Sequence, residues 1–538
     1  MEAVRNAVRH LLVLIAACGS SADPSREQPA PKPGRGQITA ASTIFNADYI
    51  GPAACGECHA DQHARWSQSL HATMNQQVGT SSPRSGGPAS MSTAVIGKPA
   101  TVSYAGGTMT FDGQVMTLAK GDRSVRYRVT RTIGTRGLQE YVGIADREEV
   151  RLPFAWWPRR DGWYPQPYFD PWLEESAFDA YAEVTDPWAA RCPWCHSTYP
   201  FAQRVARSVR GVGHGLEQFF EVAAPPDDRL NVEEQISIGI SCESCHLGGR
   251  AHAAGAAIHL VPIGAIAREG APKPTTFTQE RADPAIVNRV CAQCHSGPSP
   301  RFPDGSSSRN SSEALDLATS ACTARCVDCH DPHGPATRDS GRDEDGRLDE
   351  RSINACTRCH AERATPEHTG HRKVGCLDCH MPKVVMGIDR HVRTHRIGSP
   401  TDRRMLAAAA PNACNLCHLD RPIEWTIAEL RSRYSVRRDP RAWDYRESVG
   451  ETWLVSTAPA IRLLAAAAYA RSPLGKAALP ELIALLDDPL AYVRVWAVFA
   501  IEDVLGRSLS LTEYDPRAPH TQRQRQIGTL RRVISAVR

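Results

Sequence analysis

Aromatic side chains and net charge are both scarce in this sequence. Phe, Trp and Tyr make up 7% of the 538 residues, so side chains supply little of the large apolar surface that a core needs. The formal net charge is only +4, which excludes the strongly basic footprint of a nucleic-acid-binding protein. The apolar run at residues 11–15 is too short to span a bilayer as a helix, so no membrane span is predicted there.

Cysteine is plentiful by contrast, and most of it lies in one pattern, Cys-x-x-Cys-His. Eight copies use 16 of the 18 cysteines and eight of the 20 histidines, whereas random placement predicts about 0.02 copies. Two thiols at this spacing can each form a thioether with one vinyl group of a haem, and the next histidine then binds the iron. The copies are Cys55/Cys58/His59, Cys192/Cys195/His196, Cys242/Cys245/His246, Cys291/Cys294/His295, Cys326/Cys329/His330, Cys356/Cys359/His360, Cys376/Cys379/His380 and Cys414/Cys417/His418.

Two other uses of paired cysteines fit this pattern less well. A zinc ribbon needs no histidine after each pair, and a redox Cys-x-x-Cys normally occurs once, near a βαβ pattern. We therefore predict eight covalently attached haem c groups, with the motif histidines as proximal ligands. Because haem is large and mostly apolar, it would supply core that the side chains lack, and the haem-free chain should be largely unfolded. Seven motifs within residues 192–418 also place the haems close together, as a chain of redox centres requires.

Longer patterns surround several of the motifs. Residues 49–74 read YIGPAACGECHADQHARWSQSLHATM, residues 241–252 read SCESCHLGGRAH, and residues 411–418 read PNACNLCH. Together with CVDCHDPH at residues 326–333, these stretches resemble the multihaem (octahaem) cytochrome c family related to the tetrahaem cytochrome c of ammonia oxidisers. The resemblance covers roughly residues 48–435. It implies that His71 and His252 are distal haem ligands.

Each iron has a sixth position, for which ten histidines remain outside the motifs, the signal and the tail. Ten candidates permit bis-histidine ligation of all eight irons but do not require it, so one iron could stay open. His333 follows His330 too closely to reach the other face of the same porphyrin, and would serve a neighbouring haem. The distal candidates are His71, His214, His252, His259, His333, His371 and His395.

Three further histidines compete with these candidates. His368 and His371 lie just before the seventh motif, and one of them is predicted to bind an iron. The family resemblance favours His395 over His391. His63 is interpreted as a solvated helix residue, because His59 already occupies that helical face.

The predicted fold class is mainly α: a haem-dense, loop-rich domain with a β-hairpin insert, followed by helices. The insert, residues 95–160, contains neither Cys nor His. Its alternating pattern predicts strands, and Gly-containing pairs predict the turns between them. The predicted strands are residues 101–104, 109–111, 115–118 and 125–129, with turns at 112–113 and 121–122.

The ends of the chain suggest export and a helical appendage. Residues 1–18 fit a lipoprotein signal peptide whose lipidated residue is Cys18, and residues 19–46 fit a flexible tether. The octahaem domain then spans residues 47–435. Residues 436–538 are a helical segment in which residues 479–497, LPELIALLDDPLAYVRVWA, resemble a HEAT repeat. Since about three units are needed for a free-standing solenoid, we expect this segment to pack on the haem domain.

Three functions are compatible with these features. The first is an exported cytochrome, on the periplasmic side and anchored to the outer membrane by lipid, that passes electrons between periplasmic or membrane redox partner proteins. The second is an oxidoreductase in which one open iron acts on a small nitrogen or sulfur compound. The sequence contains no Cys-x-x-Cys-Lys motif of ammonia-forming nitrite reductases, and the unpaired Cys322 is interpreted as a structural thiol. The third is a scaffold whose HEAT-like segment recruits a redox partner.

Overall fold

The structure is a computed structural model. The following description covers residues 43–78, 96–166, 187–203, 232–255, 284–334, 347–436 and 447–537, apart from positions 135–136, 147, 298, 373 and 408–409.

An antiparallel seven-stranded sheet forms the N-terminal part of the fold. Its strands follow the order β2-β3-β4-β5-β6-β7, and β1 pairs with the second half of β5. A bulge between Val129 and Arg131 shifts the register of this long strand, which pairs with β4 before the bulge and with β1 after it. The strands are β1 (Asn75–Gln77), β2 (Ala100–Tyr104), β3 (Gly107–Phe111), β4 (Val115–Lys120), β5 (Arg123–Ile133), β6 (Glu140–Ile144) and β7 (Glu149–Arg151).

The alternating residues of the sheet bury one face. Met109, Phe111, Met116, Leu118 and Tyr127 are each at most 1% exposed. They pack with the aromatic residues of a second, two-stranded sheet formed by β8 (Phe154–Trp157) and β9 (Gly162–Pro165). Among the described residues, this core contains none from the Cys-x-x-Cys-His motifs.

The predicted fold class, mainly α, is wrong, because the sheet makes the fold mixed. Each of the four predicted strands lies within β2 to β5. The sequence interpretation did not extend the sheet to β6 and β7, nor to β1, which lies before the insert. β6 is buried at three successive residues, so it lacks the alternation on which the prediction relied.

Short helices joined by irregular chain make up the motif region. They range from 4 to 14 residues, and a two-stranded ladder of β10 (Val385–Met386) and β11 (His391–Val392) lies among them. The helices are Pro52–Cys58, Ala60–Trp66, Leu70–Thr73, Trp188–Arg191, Pro193–His196, Cys242–His246, Arg250–Ala253, Pro284–Ala292, Glu313–Ala318, Cys326–Cys329, Arg347–His360, Pro366–Thr369, Cys376–His380, Arg403–Ala407 and Ile423–Tyr434. Single 3₁₀ turns occur at Asn46–Asp48, Pro158–Arg160, Val232–Glu234, Ala361–Arg363, Ala413–Leu416 and Leu485–Asp487.

The C-terminal part is a group of packed helices. Leu482, Leu486, Val498 and Ile501 are fully buried in its core. The chain turns between two of the helices at Asp488, whose carboxylate binds Arg462 at 2.6 Å. In the part of the chain that the structure describes, no helix is both long and apolar enough to cross a membrane. The helices are Val449–Leu454, Pro459–Ala470, Leu479–Ala484, Ala491–Leu505 and His520–Val537.

Ion pairs join these helices to the aromatic strands. Arg160 binds Glu502, and both side chains are almost fully buried, at 4% and 5% exposed. The neighbouring Arg159 binds Asp503 at 2.5 Å. Glu502 also accepts a hydrogen bond from the backbone N–H of Leu509 at 2.9 Å, so its carboxylate binds both Arg160 and Leu509.

Breaking this buried pair should destabilise the protein strongly. The variant Arg160→Met removes the closest charge partner of the buried Glu502, which keeps only the more distant Arg159 at 3.9 Å, and we expect the free energy of unfolding to fall by about 3 kcal/mol. Guanidinium unfolding of the holoprotein, followed by far-ultraviolet circular dichroism, measures the change. The control is Lys98→Met, which breaks an ion pair to Asp161 whose side chains are 63% and 65% exposed and should cost less than about 1 kcal/mol. Equal losses in the two variants would contradict this assignment.

Candidate haem-binding site

The Cys-x-x-Cys-His motifs lie on single helical turns. The helix Cys376–His380 is one motif, and residues three and four apart on such a turn face the same side. Asp378, inside the motif, accepts the backbone N–H of Gly375 at 3.0 Å and so fixes the start of the turn. Asp328 does the same for Arg325 at 2.8 Å in the fifth motif. The local sequence therefore presents both thiols and the histidine to one side.

Five motif histidines face a histidine from outside the motifs. In every pair the ring centroids lie 6.1–6.2 Å apart. The interplanar angles are 16°, 7°, 26°, 2° and 47° for the pairs of the first, third, fifth, seventh and eighth motifs. The pairs are His59 with His252, His246 with His333, His330 with His395, His380 with His368, and His418 with His371.

This spacing fits an iron between the rings. Two metal–nitrogen bonds of about 2 Å and two ring radii of about 1.1 Å place the centroids about 6.2 Å apart. The repetition of one distance in five separate pairs, each joining a motif histidine to a histidine from elsewhere, distinguishes the pattern from chance ring contacts. The residues present therefore fit covalently bound haem with an imidazole on each face.

The structure brings together four of the predicted distal candidates with a motif histidine: His252, His333, His371 and His395. His333 faces His246 and not His330, as its short separation from His330 requires. Sequence analysis assigned one of the two histidines before the seventh motif. Both are paired in the structure, each with a different motif histidine. His214 and His259 lie outside the described residues.

The remaining candidates have other surroundings. The ring of His391 is buried against Trp496, at 5.3 Å between centroids, and burial lowers its pKa to about 3. The ring of His63 lies 5.3 Å from that of Trp66 and is half-buried instead of solvated. Neither lies opposite a motif histidine in the ring contacts of the described chain. Cys322 is half-buried near the thiol of Cys356.

The motif cysteines differ in their exposure. Most are half-buried, and three are exposed to solvent: Cys58, Cys359 and Cys417. The first and the last of these belong to motifs whose histidine faces a second histidine.

Cys359 is the exposed cysteine for which the structure offers the least support as a haem-attachment residue. It lies in the last turn of the helix Arg347–His360, and His360 beside it is exposed as well. No histidine lies opposite His360 in the ring contacts of the described chain. The half-buried Cys356, one turn earlier, is the residue that approaches the neighbouring motifs, whereas Cys359 is exposed. Its haem attachment therefore rests on its spacing from Cys356 and stays a prediction.

His71 is a sixth histidine from outside the motifs that lies beside them, and it is half-buried. Burial lowers its pKa, and the nearby His295 and His333 lower it further. One ring nitrogen hydrogen-bonds to the backbone carbonyl of Pro332. Such a bond commonly fixes the orientation of a metal-binding histidine and leaves the other nitrogen free. His71 is therefore held neutral and close to the fourth motif.

His196 of the second motif lies in an enclosed position. Its ring centroid is 6.1 Å from that of Trp188. The guanidinium carbon of Arg131 lies over the Trp188 ring, 5.7 Å from the ring centroid. Burial lowers the pKa of His196 to about 4, and the charge of Arg151 acts in the same direction. The imidazole is thus neutral, which is the form that binds a metal.

Two glutamates that sequence analysis missed support the motifs. Glu243 is buried inside the third motif and accepts backbone N–H groups from Ile50 at 3.0 Å, Gly51 at 2.8 Å and Gly249 at 3.0 Å. Burial raises its pKa, while these three bonds lower it. Glu243 therefore ties the start of the first motif to the third. Its position two residues before Cys245 gave no signal of this long-range contact.

Glu313 is the second of these residues. Its carboxylate lies 3.1 Å from Nδ1 of His295, the proximal histidine of the fourth motif. This hydrogen bond raises the pKa of His295 to about 9. Burial raises the pKa of Glu313, but the bond and the charge of His295 bring it down to about 2. By comparison, Nδ1 of His380 lies 2.6 Å from a neutral acceptor, the backbone carbonyl of Gly398.

Cysteine contacts show which motifs are neighbours. The thiol of Cys55 hydrogen-bonds to that of Cys242, and the thiol of Cys291 to that of Cys326. The thiols of Cys195 and Cys294 each lie under 4 Å from a backbone carbonyl of the other motif, at 3.7 and 3.8 Å. In a haem-loaded chain these sulfurs would be thioethers, so such contacts bring porphyrin edges together. The first motif therefore adjoins the third, the second adjoins the fourth, and the fourth adjoins the fifth.

The later motifs continue this series. Cys356 of the sixth motif is close enough to Cys329 and Cys376 for their charges to interact, which connects the fifth, sixth and seventh motifs. Cys379 of the seventh motif is similarly close to Cys417 of the eighth. His333 links the third motif to the fifth, because its ring faces His246 of the third motif and it comes three residues after His330 of the fifth.

The comparison with known families agrees with this chemistry. The Cytochrome c552 family matches residues 365–457, a stretch that holds the last two motifs. The "Crystal Structure of Outer Cell Wall Cytochrome OcwA" aligns with 90% of this chain and 100% of that chain, at 16% sequence identity and a TM-score of 0.40. No curated protein sequence matches the chain.

The eight motifs and the cytochrome c552 segment define the class of the protein. It is a multihaem c-type cytochrome, in which haem c is covalently bound and serves electron transfer.

Proposed function

We propose that this chain is an exported octahaem cytochrome c that carries electrons through a closely spaced haem array. The observation that supports this most directly is the set of five histidine pairs with one common spacing. Haem c supplies reversible one-electron chemistry when it is bound. The protein supplies the axial ligands, the spacing of the motifs and a partly buried environment.

We assign the axial ligands from these pairs. The five distal ligands are His252, His333, His395, His368 and His371, opposite the motif histidines given above. His71 is assigned to the fourth motif, because it is neutral, oriented by Pro332 and close to His295. His196 and His360 then remain, and the predicted candidates His214 and His259 match them in number. We therefore propose complete bis-histidine ligation, which is typical of low-potential electron carriers.

The motif contacts favour a branched path. The fifth motif adjoins the fourth through Cys326 and the sixth through Cys329, and His333 connects it to the third. One arm therefore contains the first and third motifs, and another the second and fourth. The third arm runs through the sixth and seventh to the eighth. The second and third motifs also meet, since Ser244 hydrogen-bonds to Thr198 at 2.9 Å, so it is electrons that move to or from the third arm that would pass the fifth motif.

The location and partners are part of the same proposal. Covalent haem c attachment takes place outside the cytoplasm, and the signal-like residues 1–18 with Cys18 fit a lipoprotein there. A lipid on one cysteine would anchor the protein without spanning the membrane. The partners would be periplasmic or membrane redox proteins. The HEAT-like segment as a docking surface stays a prediction.

Electron paramagnetic resonance of the oxidised holoprotein, with a haem count, tests the proposal. We expect eight haems per chain and only low-spin ferric signals, because every iron has two imidazole ligands. A high-spin signal from about one iron in eight, sensitive to nitrite or cyanide, would contradict complete ligation. That result would favour the alternative, an oxidoreductase acting on a small nitrogen compound.

A further inference from the structure

The fourth motif has a feature beyond the ligand pairs, the carboxylate on its proximal histidine. Glu313 lies at the start of the helix Glu313–Ala318 and contacts Nδ1 of His295 at 3.1 Å. A carboxylate in this position draws the Nδ1 proton toward itself and makes the imidazole a stronger donor to a metal on its other nitrogen. The backbone carbonyl that Nδ1 of His380 contacts is neutral and has a weaker effect.

The surrounding backbone fixes this contact. Ala314 donates its N–H to the carbonyl of His295 at 2.9 Å, and Gly297 donates to the carbonyl of Ser311 at 2.7 Å. Ser311 in turn donates its N–H to the second carboxylate oxygen of Glu313 at 2.8 Å. The end of the fourth motif is thereby joined to the start of the helix at two points, and the carboxylate of Glu313, bonded to Ser311, has little freedom to turn away.

Ser311 adopts an unfavourable conformation to make its bond. Its φ is +77°, in the left-handed region that residues other than glycine seldom occupy. Such a conformation costs of order 1 kcal/mol or more, and persists where the surrounding structure requires it. Here it directs the N–H of Ser311 at Glu313. The strain thus supports the orientation of one carboxylate oxygen and leaves the other for His295.

The position of the fourth motif gives this contact a consequence. The fourth motif lies between the second motif and the fifth. It meets the second motif through Cys195 and Cys294, and the fifth motif through Cys291 and Cys326. The fourth motif is therefore one route between the second motif and the rest of the array; Thr198, two residues after the second motif, also hydrogen-bonds to Ser244 inside the third at 2.9 Å. The donor strength of His295 therefore affects electron transfer along the route through the fourth motif.

We propose that Glu313 is a positioning residue that lowers the reduction potential of the haem on Cys291 and Cys294 by strengthening His295 as a donor. The inference rests on the proposed function, since it requires a haem at this motif. A more donating ligand stabilises the ferric iron over the ferrous iron. The fourth haem would then form a step of low potential between the second haem and the branch point, and it would slow electron transfer along this route.

Spectroelectrochemical titration of the holoprotein tests this proposal. In Glu313→Gln, which keeps the shape but removes the charge, one of the eight one-electron transitions should move to higher potential. At a fixed applied potential, the ratio of reduced to oxidised haem for that transition should rise about tenfold, equal to 59 mV for a one-electron couple. In Glu313→Asp, which keeps the charge, it should stay nearer its original potential.

Two further variants separate the explanations. In Cys291→Ser/Cys294→Ser, seven haems should remain and the transition that Glu313→Gln moves should be missing. The matched control is Glu429→Gln, which removes an exposed carboxylate outside the motifs that binds Arg433 at 2.9 Å, and it should leave this transition in place. No movement in Glu313→Gln, or an equal movement in Glu429→Gln, would overturn the role of Glu313. Eight haems in the double cysteine variant would instead overturn the proposed function.

Discussion

The haem-free chain should lose its structure in the described motif segments between residues 232 and 436, whereas the sheet and the C-terminal helices should stay folded and not unfold with them, as the sequence alone suggested. The sheet has a core of its own around Met109, Phe111 and Tyr127, and the helices have another around Leu482 and Ile501. Among the described residues, the motif region contributes small clusters: Phe302, Val384, Val385 and Ala410 pack on Leu464, and Ile423 and Ile427 pack on Val449. Its short helices are not stable without further apolar contacts.

Limited proteolysis with mass spectrometry measures this difference. The chain is produced with and without the haem attachment machinery, and both forms are digested under the same conditions. Cleavage throughout the motif region of the haem-free form, with protection of residues 96–166 and 449–537, is expected. The control is Cys376→Ser/Cys379→Ser, in which loss of one haem should expose only the chain near the seventh motif. Equal protection of both forms across the motif region would show that haem is not part of its core.

The second large effect concerns a distal ligand. In His333→Gly the imidazole opposite His246 is lost, and we expect one ferric iron in eight to change from low spin to high spin. The iron should then bind cyanide, and added imidazole should restore the low-spin signal. Electron paramagnetic resonance and optical titration measure these changes.

A matched control is available for this substitution. His391 is also a buried histidine outside the motifs, but its ring contacts Trp496 and not a motif histidine. The variant His391→Gly should therefore leave every iron low-spin. A high-spin iron in His391→Gly, or none in His333→Gly, would show that the ring pairs do not correspond to axial ligation.

Local chemistry explains how much of the site the sequence predicts. The two thiols and the histidine of each motif act within one helical turn, so their spacing alone identifies them. The distal ligand comes from another segment, and a count of histidines cannot decide which one. His333 is too close to His330 in sequence to bind the same haem, so the sequence limits it to a neighbouring haem. No such argument decides between His368 and His371 as the distal ligand, and in the structure both face motif histidines.

The fold shows the same limit. Strands β2 to β5 were predictable because they alternate buried and exposed residues and are joined by short turns. β6 is buried on both faces and has no such pattern, so the extent of the sheet was missed. Glu243 and Glu313 act on residues brought near only by folding, and their immediate neighbours in sequence carry no sign of it.

The crossed histidine pairs have a consequence for biosynthesis. If the chain is exported N-terminus first and the ring pairs are axial ligands, as proposed, His59 would emerge long before His252, and His246 before His333, so the first and third haems would wait for their distal ligands. His368 and His380, in contrast, would emerge almost together. The N-terminal irons would thus be the ones exposed to foreign ligands during synthesis, and the maturing chain would need protection at that end for longest.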